Sequence, residues 1–195
     1  MGEIKSALEI ALEKADRLGR LSKEELEAQR WNEQGRRIAA DYLNGKTDDM
    51  QQALGSVPAE FLQAALDGAA EVLLRNIILP QDDLQWQGIK RAMDGLVAIK
   101  GSIAMQVLPQ MEQLLRNYQQ TINHYQEQFQ QQLKGRMEAI KQMGQGAAGA
   151  QMGGGMDASE LNSLMQAQEE WNRLAADIRQ QFEQQLEPLK NYLRQ

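Results

Sequence analysis

The chain has 195 residues, enough for one domain with a substantial core, and 21 Lys+Arg against 27 Asp+Glu leave a formal net charge of −6. An acidic balance argues against a nucleic-acid-binding surface, because such a surface needs basic side chains to neutralise phosphates. The chain has no cysteine and a single histidine, His124, which excludes disulfides, thiolate metal sites and paired histidine ligands. We therefore expect no metal site and no cofactor.

Successive helical patterns predict an N-terminal helical bundle over residues 1–108. Apolar residues at three-and-four spacing indicate helices over about 3–18, from a capping box at 22–25 to residue 44, and over 59–78. Gly35 lies inside the second helix, where glycine is unfavourable, and we interpret it as the mark of a close helix crossing. Between Leu84 and Leu108 two apolar stripes indicate a helix that is covered on two sides at the centre of the bundle.

A longer series of apolar and small residues, called the seam below, steps by fours and threes along the middle of the chain. Such a heptad repeat is typical of a helix that packs on other helices, as in a coiled coil. The spacing keeps its phase across Pro109, so we predict a kink there rather than two separate helices. We predict a long, glutamine-rich heptad helix over residues 109–143. The seam consists of Val97, Gly101, Ala104, Leu108, Met111, Leu115, Tyr118, Ile122, Tyr125 and Phe129.

Residues 144–157 contain six glycines and predict a flexible Gly/Ala/Met linker. Residues 144–149 also match the pattern G-x-G-x-x-G, but a dinucleotide site needs a strand before the glycines and a helix opening within them. Here a helix precedes the glycines and more glycine follows, so we interpret the stretch as a linker alone. A C-terminal heptad helix is predicted over residues 158–195. Its second seam consists of Leu161, Leu164, Gln168, Trp171, Ala175, Ile178, Phe182, Gln185, Leu189 and Tyr192.

The two long helices have similar lengths, matching seams and a flexible joint, which favours an antiparallel coiled-coil hairpin with the C-terminal helix packed back on the long helix. Parallel self-association, in which each helix pairs across a dimer, is the alternative. The predicted fold class is all-α: a helical bundle with a long antiparallel coiled-coil hairpin and no β-sheet.

The sequence indicates protein contacts rather than chemistry, because it offers matched seams and few reactive side chains. We expect a non-enzymatic helical scaffold or adaptor that acts on a protein partner or on a second copy of the chain as a homo-oligomer. The alternative is a peripheral protein whose amphipathic helices coat a lipid or storage-granule surface. The residues expected to make protein contacts are Met111, Leu115, Tyr118, Ile122, Tyr125, Phe129, Trp171, Ile178 and Phe182.

No segment reaches the ~18 apolar residues that a membrane-spanning helix needs. No charged-then-apolar signal peptide opens the chain either, so we expect a cytoplasmic protein with no transmembrane segment. The opening MGEIKSALEIALEKAD, with its continuation through Gly35-Arg-Arg-Ile-Ala-Ala, resembles a group of small uncharacterised bacterial all-helical proteins. The resemblance implies a bacterial, cytosolic setting, and no activity or site residue carries over with it.

Overall fold

The computed structural model describes residues 23–145 and 158–195, and it describes side chains over 23–139 and 161–195. Over these residues the chain is helical and contains no strand, which confirms the predicted all-α class. The predicted helix over 3–18 and residues 146–157 of the predicted linker lie outside the described residues. The elements are α1 (Lys23–Leu43), α2 (Met50–Leu54), a 3-10 helix (Ala59–Phe61), α3 (Leu62–Asn76), α4 (Asp83–Lys100), α5 (Ser102–Gln145) and α6 (Ala158–Arg194).

The chain divides into two compact units, of which the first ends at Arg75 and the second begins at Asn76. The predicted boundary at residue 108 lies inside α5, so the division of the structure falls about one helix earlier than the predicted end of the bundle. The first unit contains α1, α2, the 3-10 helix and nearly all of α3. The second unit contains α4, α5 and α6.

In the first unit, α1 and α3 cross so closely that each helix presents a glycine to the backbone of the other. A Cβ on Gly35 would lie 1.9 Å from the Ala65 carbonyl oxygen, and one on Gly68 would lie 2.1 Å from the Asn32 carbonyl oxygen. The Asn32 side chain strengthens the crossing, since its Nδ2 donates a hydrogen bond to the Ala64 carbonyl at 3.0 Å. The interpretation of Gly35 as the mark of a helix crossing is confirmed.

In the second unit, α4 begins at an N-cap that the sequence makes explicit. The Asp82 carboxylate accepts a hydrogen bond from the Gln85 backbone N–H at 2.9 Å, which satisfies one of the unpaired donors at the start of the helix. Asp83 follows in the first turn, where its negative charge is favoured by the helix dipole. The helix then continues for 18 residues to Lys100.

The helical pattern that ran through residue 101 is interrupted there, and this corrects the predicted continuous helix. Gly101 has φ 55° and ψ −125°, a backbone conformation that favours glycine, and its N–H donates to the Val97 carbonyl at 2.9 Å. A new helix, α5, starts at Ser102, and Pro109 lies within it. The break between helices therefore falls at Gly101, and the seam continues across Pro109 inside a single helix of 44 residues.

Both neighbours of α5 run antiparallel to it. Residues near the start of α4 contact Gln119, 17 residues after α5 begins, so α4 folds back along the first part of α5. On the other side Tyr118 meets Phe182 and Phe129 meets Trp171, so a step of 11 residues forward on α5 is a step of 11 residues backward on α6. The predicted antiparallel packing of the C-terminal helix on the long helix thus occurs within one chain.

Candidate interaction surface

Because α4 and α6 differ in length, the second unit has two parts, which we call the base and the arm. The base comprises α4, residues 102–118 of α5 and residues 182–194 of α6, so that α5 has a helix on each of two sides there. The arm comprises residues 119–139 of α5 and 161–181 of α6, where α4 no longer follows α5. Five of the nine predicted contact residues belong to the arm, and four belong to the base.

Side chains on the α5 seam are fully buried in the base. The exposed fractions are 0% for Ala104, 6% for Leu108, 0% for Met111, 0% for Leu115 and 2% for Tyr118. Two helices cover this part of the seam, and large apolar side chains pack there without solvent contact. Met111, Leu115 and Tyr118 were predicted to make protein contacts, and the structure places them in the interior of the base.

Side chains on the same seam are only half-buried in the arm. Ile122 and Phe129 are intermediate in exposure, as are Leu133 and Met137 farther along α5. Tyr125 is 40% exposed, and its ring lies edge-on to that of His124, with the ring centroids 6.0 Å apart. Because a single partner helix cannot enclose these large side chains, the arm presents apolar surface to solvent along its length.

The α6 side of the arm shows the same incomplete burial. Leu161 is 50% exposed and Met165 is 55% exposed, although Ala167 between the two helices is 1% exposed. Trp171 is half-buried and its ring centroid lies 5.5 Å from that of Phe129. Ala167 and Ile178, which is 6% exposed, therefore fit under α5, while Leu161 and Met165 extend to the edge of the helix pair.

One aromatic contact and one ion pair join α5 and α6 at the two ends of this surface. Tyr118 and Phe182 meet edge to face at 5.4 Å between ring centroids, where the base becomes the arm. Toward the far end, Arg136 Nη1 lies 3.2 Å from Glu170 Oε2, and both side chains are about half exposed, so this ion pair contributes little to stability. Aromatic contacts, rather than charge, set the register of the two helices.

A hydrogen-bonded cluster joins the start of α4 to α5. The Trp86 indole N–H donates to Gln119 Oε1 at 2.6 Å, and Gln119 Nε2 donates to Asp83 Oδ1 at 2.8 Å. The Arg116 guanidinium lies 5.1 Å from the centre of the Trp86 ring and also pairs with Glu112 at 2.6 Å. These contacts fasten the start of α4 to α5 at the point where the arm begins.

The burial pattern on α6 differs from the predicted heptads. Gln168, Gln185 and Tyr192 are exposed, whereas the buried side chains are Ala167, Ile178, Leu186 and Leu193, of which the first two lie 11 residues apart. The same interval joins Trp171 to Phe182 and Phe182 to the buried Leu193. An 11-residue repeat averages about 3.67 residues per turn, close to a straight helix, and from Trp171 it leads to Leu193 rather than to Tyr192.

Among the cavities that the described residues line, two border the base. One, of about 440 Å³, opens between α4 and α5, and its lining combines apolar side chains such as Met93, Val97 and Leu108 with the charged Lys90, Asp94 and Glu112. The other, of about 550 Å³, lies between the segment before α4 and the last turns of α6, with Leu79, Leu186 and Lys190 in its wall. Burial beside these apolar side chains lowers the pKa of Lys190 below its ordinary 10.5.

His124 is on the surface of the arm, within hydrogen-bonding distance of Gln128: the two Nε2 atoms are 3.0 Å apart. In the part of the chain that the structure describes, no group of three or more His, Cys, Asp or Glu side chains is arranged to hold a metal ion. Within that same part, no helix is long and apolar enough to cross a membrane.

The fold and the surface together define an all-helical protein with a closed base and a two-helix arm. The chain belongs to a family described as "Family of unknown function (DUF6657)", whose profile matches residues 51–195. The match includes the whole described base and arm and leaves out the opening residues that carried the resemblance to bacterial helical proteins. No curated protein and no solved structure matches the chain. Membership of an uncharacterised family is thus confirmed, while the bacterial origin stays a prediction.

Proposed function

We propose that the protein is a non-enzymatic helical scaffold that self-associates through its arm. The observation that carries the proposal is the change in burial along one helix: Leu115 in the base is 0% exposed, whereas no described seam residue beyond Tyr118 is fully buried. Apolar side chains that a single chain leaves half-covered are stabilised when a second copy covers them, at roughly 25 cal/mol per Å² removed from water.

The dimensions of the arm suit a second copy of itself. Each described helix of the arm has 21 residues, or about 30 Å of helix. A pair of helices is about 20 Å wide, so one face offers roughly 600 Å² and two faces about 1,200 Å², the lower end for a specific interface. Two arms laid together would form a four-helix bundle, in which each seam is covered from a second side.

The charges of the arm also permit self-association. Its described residues carry four basic and five acidic side chains, so two copies meet with almost no net repulsion. Most of the remaining polar positions on α5 are glutamines, which both donate and accept hydrogen bonds and need no counter-ion at an interface. Together these features favour a weak, reversible contact between copies over a strongly steered one.

Light scattering after size-exclusion chromatography, over a series of protein concentrations, tests the proposal. We expect a dimer or larger assembly at tens of micromolar. The combined substitution Tyr125→Gln, Leu161→Gln and Met165→Gln should shift the protein to monomer, because all three side chains are exposed and contribute little within the chain. The control substitutes Leu84 and Tyr192, which are 78% and 53% exposed outside the arm, by glutamine and should leave the assembly unchanged.

A wild-type monomer over the whole concentration range would overturn the proposal. So would a control variant that dissociates as readily as the arm variant. Co-sedimentation with neutral lipid vesicles, accompanied by a change in helicity, would instead favour the alternative of a protein that coats an apolar surface, since α5 and α6 would then separate to expose their seams. Circular dichroism of each variant verifies that the helices remain formed.

A further inference from the structure

The cavity between the segment before α4 and the end of α6 has a chemistry that the scaffold function does not use. Its volume is about 550 Å³, which is within the range of small-molecule pockets. Ile78, Leu79 and Leu186 supply apolar wall, and the polar side chains in its lining come from about three turns of α6. Lys190 is the only amine among the described residues that line it.

Lys190 is half-buried in this cavity and is not fixed by a partner. Within the described part of the chain, no hydrogen bond or ion pair holds its ammonium group. The nearest candidate along the helix, Glu187, pairs instead with Arg194 at 2.8 Å. An ammonium group that is partly removed from water and unpaired is destabilised relative to the neutral amine.

The groups around Lys190 act in both directions on its pKa. Burial lowers the pKa and is the largest cause, and the positive charge of Arg194 lowers it further. The carboxylates of Glu187 and Glu183 raise it, but they do not offset the burial. The segment before α4 contributes only the apolar Ile78 and Leu79 to the cavity wall, and so no charge. A larger fraction of Lys190 is therefore the nucleophilic neutral amine than for an exposed lysine.

We propose that Lys190 is a reactive amine that forms Schiff bases with small uncharged aldehydes that enter the cavity. The Nζ lone pair attacks the carbonyl carbon, the carbonyl oxygen takes up a proton, and the resulting carbinolamine loses water to leave the C=N bond. The overall reaction joins one amine and one aldehyde and releases one water, and it needs no oxidant or reductant. The carboxylates of Glu183 and Glu187 disfavour anionic reagents in the cavity, and the positive charges of Lys190 and Arg194 disfavour cationic ones, so uncharged reagents suit the site best.

The same carboxylates can also move the protons of this reaction. One carboxylate accepts the proton that the attacking amine loses, and returns it to the hydroxyl that leaves as water. Glu183 lies two turns before Lys190 on α6 and lines the same cavity, and Glu187 lies one turn before it. The site thus combines a partly desolvated amine, an apolar wall for the aldehyde's alkyl group and a proton acceptor.

Reductive alkylation with a limiting amount of propanal and cyanoborohydride, followed by peptide mass spectrometry, tests the proposal in the full-length protein. The borohydride traps the imine, so the amount of propyl-lysine at each position reports its rate of formation. The reference is Lys134, which is exposed on the arm. Near pH 7 we expect Lys190 to react faster than Lys134, because burial lowers the pKa of Lys190 and leaves a larger fraction of it as the neutral amine.

Two further measurements separate cavity chemistry from simple accessibility. In urea the rates at Lys190 and Lys134 should become equal, and Ile78→Gln should lower the native rate at Lys190 by making the cavity wall polar. The control Leu84→Gln, which is exposed and outside the cavity wall, should leave the rate unchanged. A native rate at Lys190 equal to or below that at Lys134 would overturn the proposal, as would a preference that persists in urea. The wild-type ratio decides the question even if Ile78→Gln fails to fold.

Discussion

The base and the arm use the same helix and nearly the same residue types, yet they differ in how completely they are buried. Leu133 lies on α5 18 residues after the seam residue Leu115, and Leu115 is fully buried while Leu133 is half-buried. The difference comes from α4, which covers α5 for about 18 residues and no farther, because it folds back from Gly101 and starts at Asp83. An apolar seam predicts that a helix has a partner, but the number of partners depends on the length of its neighbours.

This comparison suggests a division of roles within the second unit. Packing on two sides of α5 in the base supplies stability, because fully buried leucines and methionines contribute about 1.5–3 kcal/mol each before conformational entropy is counted. The arm can bury more apolar surface against a further partner. The ring contacts of Tyr118 and Phe129 already hold its two helices in register. A surface held in the bound conformation loses little entropy on association, which favours binding.

The largest expected effect compares one substitution at two places on α5. Leu115→Ala should lower the free energy of unfolding by about 2–5 kcal/mol, since it leaves a cavity in a closed interior. Leu133→Ala should cost about 1 kcal/mol or less in dilute protein, because its side chain is only half-buried. Denaturant unfolding followed by circular dichroism measures both.

Protein concentration makes this pair of variants more informative. If the arm self-associates, the cost of Leu133→Ala should rise with concentration, while the cost of Leu115→Ala should not. Equal costs at low concentration would show that the arm seam is as well covered as the base within one chain, and the contrast between base and arm would then fail.

A second comparison uses glycines that lie in helices with and without a close neighbour. Gly35→Ala should cost about 1–3 kcal/mol or more, because the new methyl group would meet the Ala65 carbonyl at 1.9 Å. Gly135→Ala, in the arm, should stabilise the protein by about 0.5–1 kcal/mol, because nothing lies within 4 Å and alanine favours the helix. Thermal unfolding of both variants measures this. A loss of stability at Gly135 would mean that a partner backbone approaches the arm there.

Several features of both units could be predicted from sequence because their determinants are local. The spacing of apolar residues along the chain, Phe129 and Trp171 among them, identified two helices with matching seams. The similar lengths of these helices indicated the antiparallel pairing that the structure has. Gly35 likewise signalled a crossing, since an unfavourable residue in a helix needs a packing reason. In each case one residue or one spacing carries the information.

Other features depend on information that a single pattern lacks. Gly101 fits a helical seam as a small residue and also ends a helix as a residue with positive φ, and spacing alone does not separate the two roles. The exposure of Tyr192 and the burial of Leu193 depend on whether α6 follows a 7-residue or an 11-residue repeat, which diverge by one position over its length. The reactive environment of Lys190 depends on Leu79, more than 100 residues away in sequence.

A further effect is expected where the start of α4 contacts α5. Gln119→Ala removes the acceptor of the Trp86 indole N–H, which is mostly buried, and should cost about 1–3 kcal/mol. The neighbouring Gln120→Ala is the matched control, because Gln120 is exposed on the same helix and should change stability by less than about 0.5 kcal/mol. Denaturant unfolding compares the two variants. Equal effects would mean that the Trp86–Gln119 hydrogen bond does not hold the start of α4 on α5.

The smallest expected effect concerns Lys190, which lies in the base beside apolar wall rather than on the open arm. Its pKa is lower in the folded chain than the ordinary 10.5, so folding disfavours its charged form at neutral pH. Between the folded pKa and 10.5 the unfolded chain binds more protons at this position, and the contribution of Lys190 to stability therefore rises with pH across that interval.

Lys190→Gln should slightly raise the melting temperature near pH 7, and the gain over wild type should shrink as the pH approaches 10.5. The matched substitution Lys134→Gln, on the exposed surface of the arm, should show no such pH-dependent gain. Melting curves of the two variants and the wild type at several pH values measure the difference, and a gain at Lys190 that does not shrink with rising pH would mean that burial of its charge is not the cause.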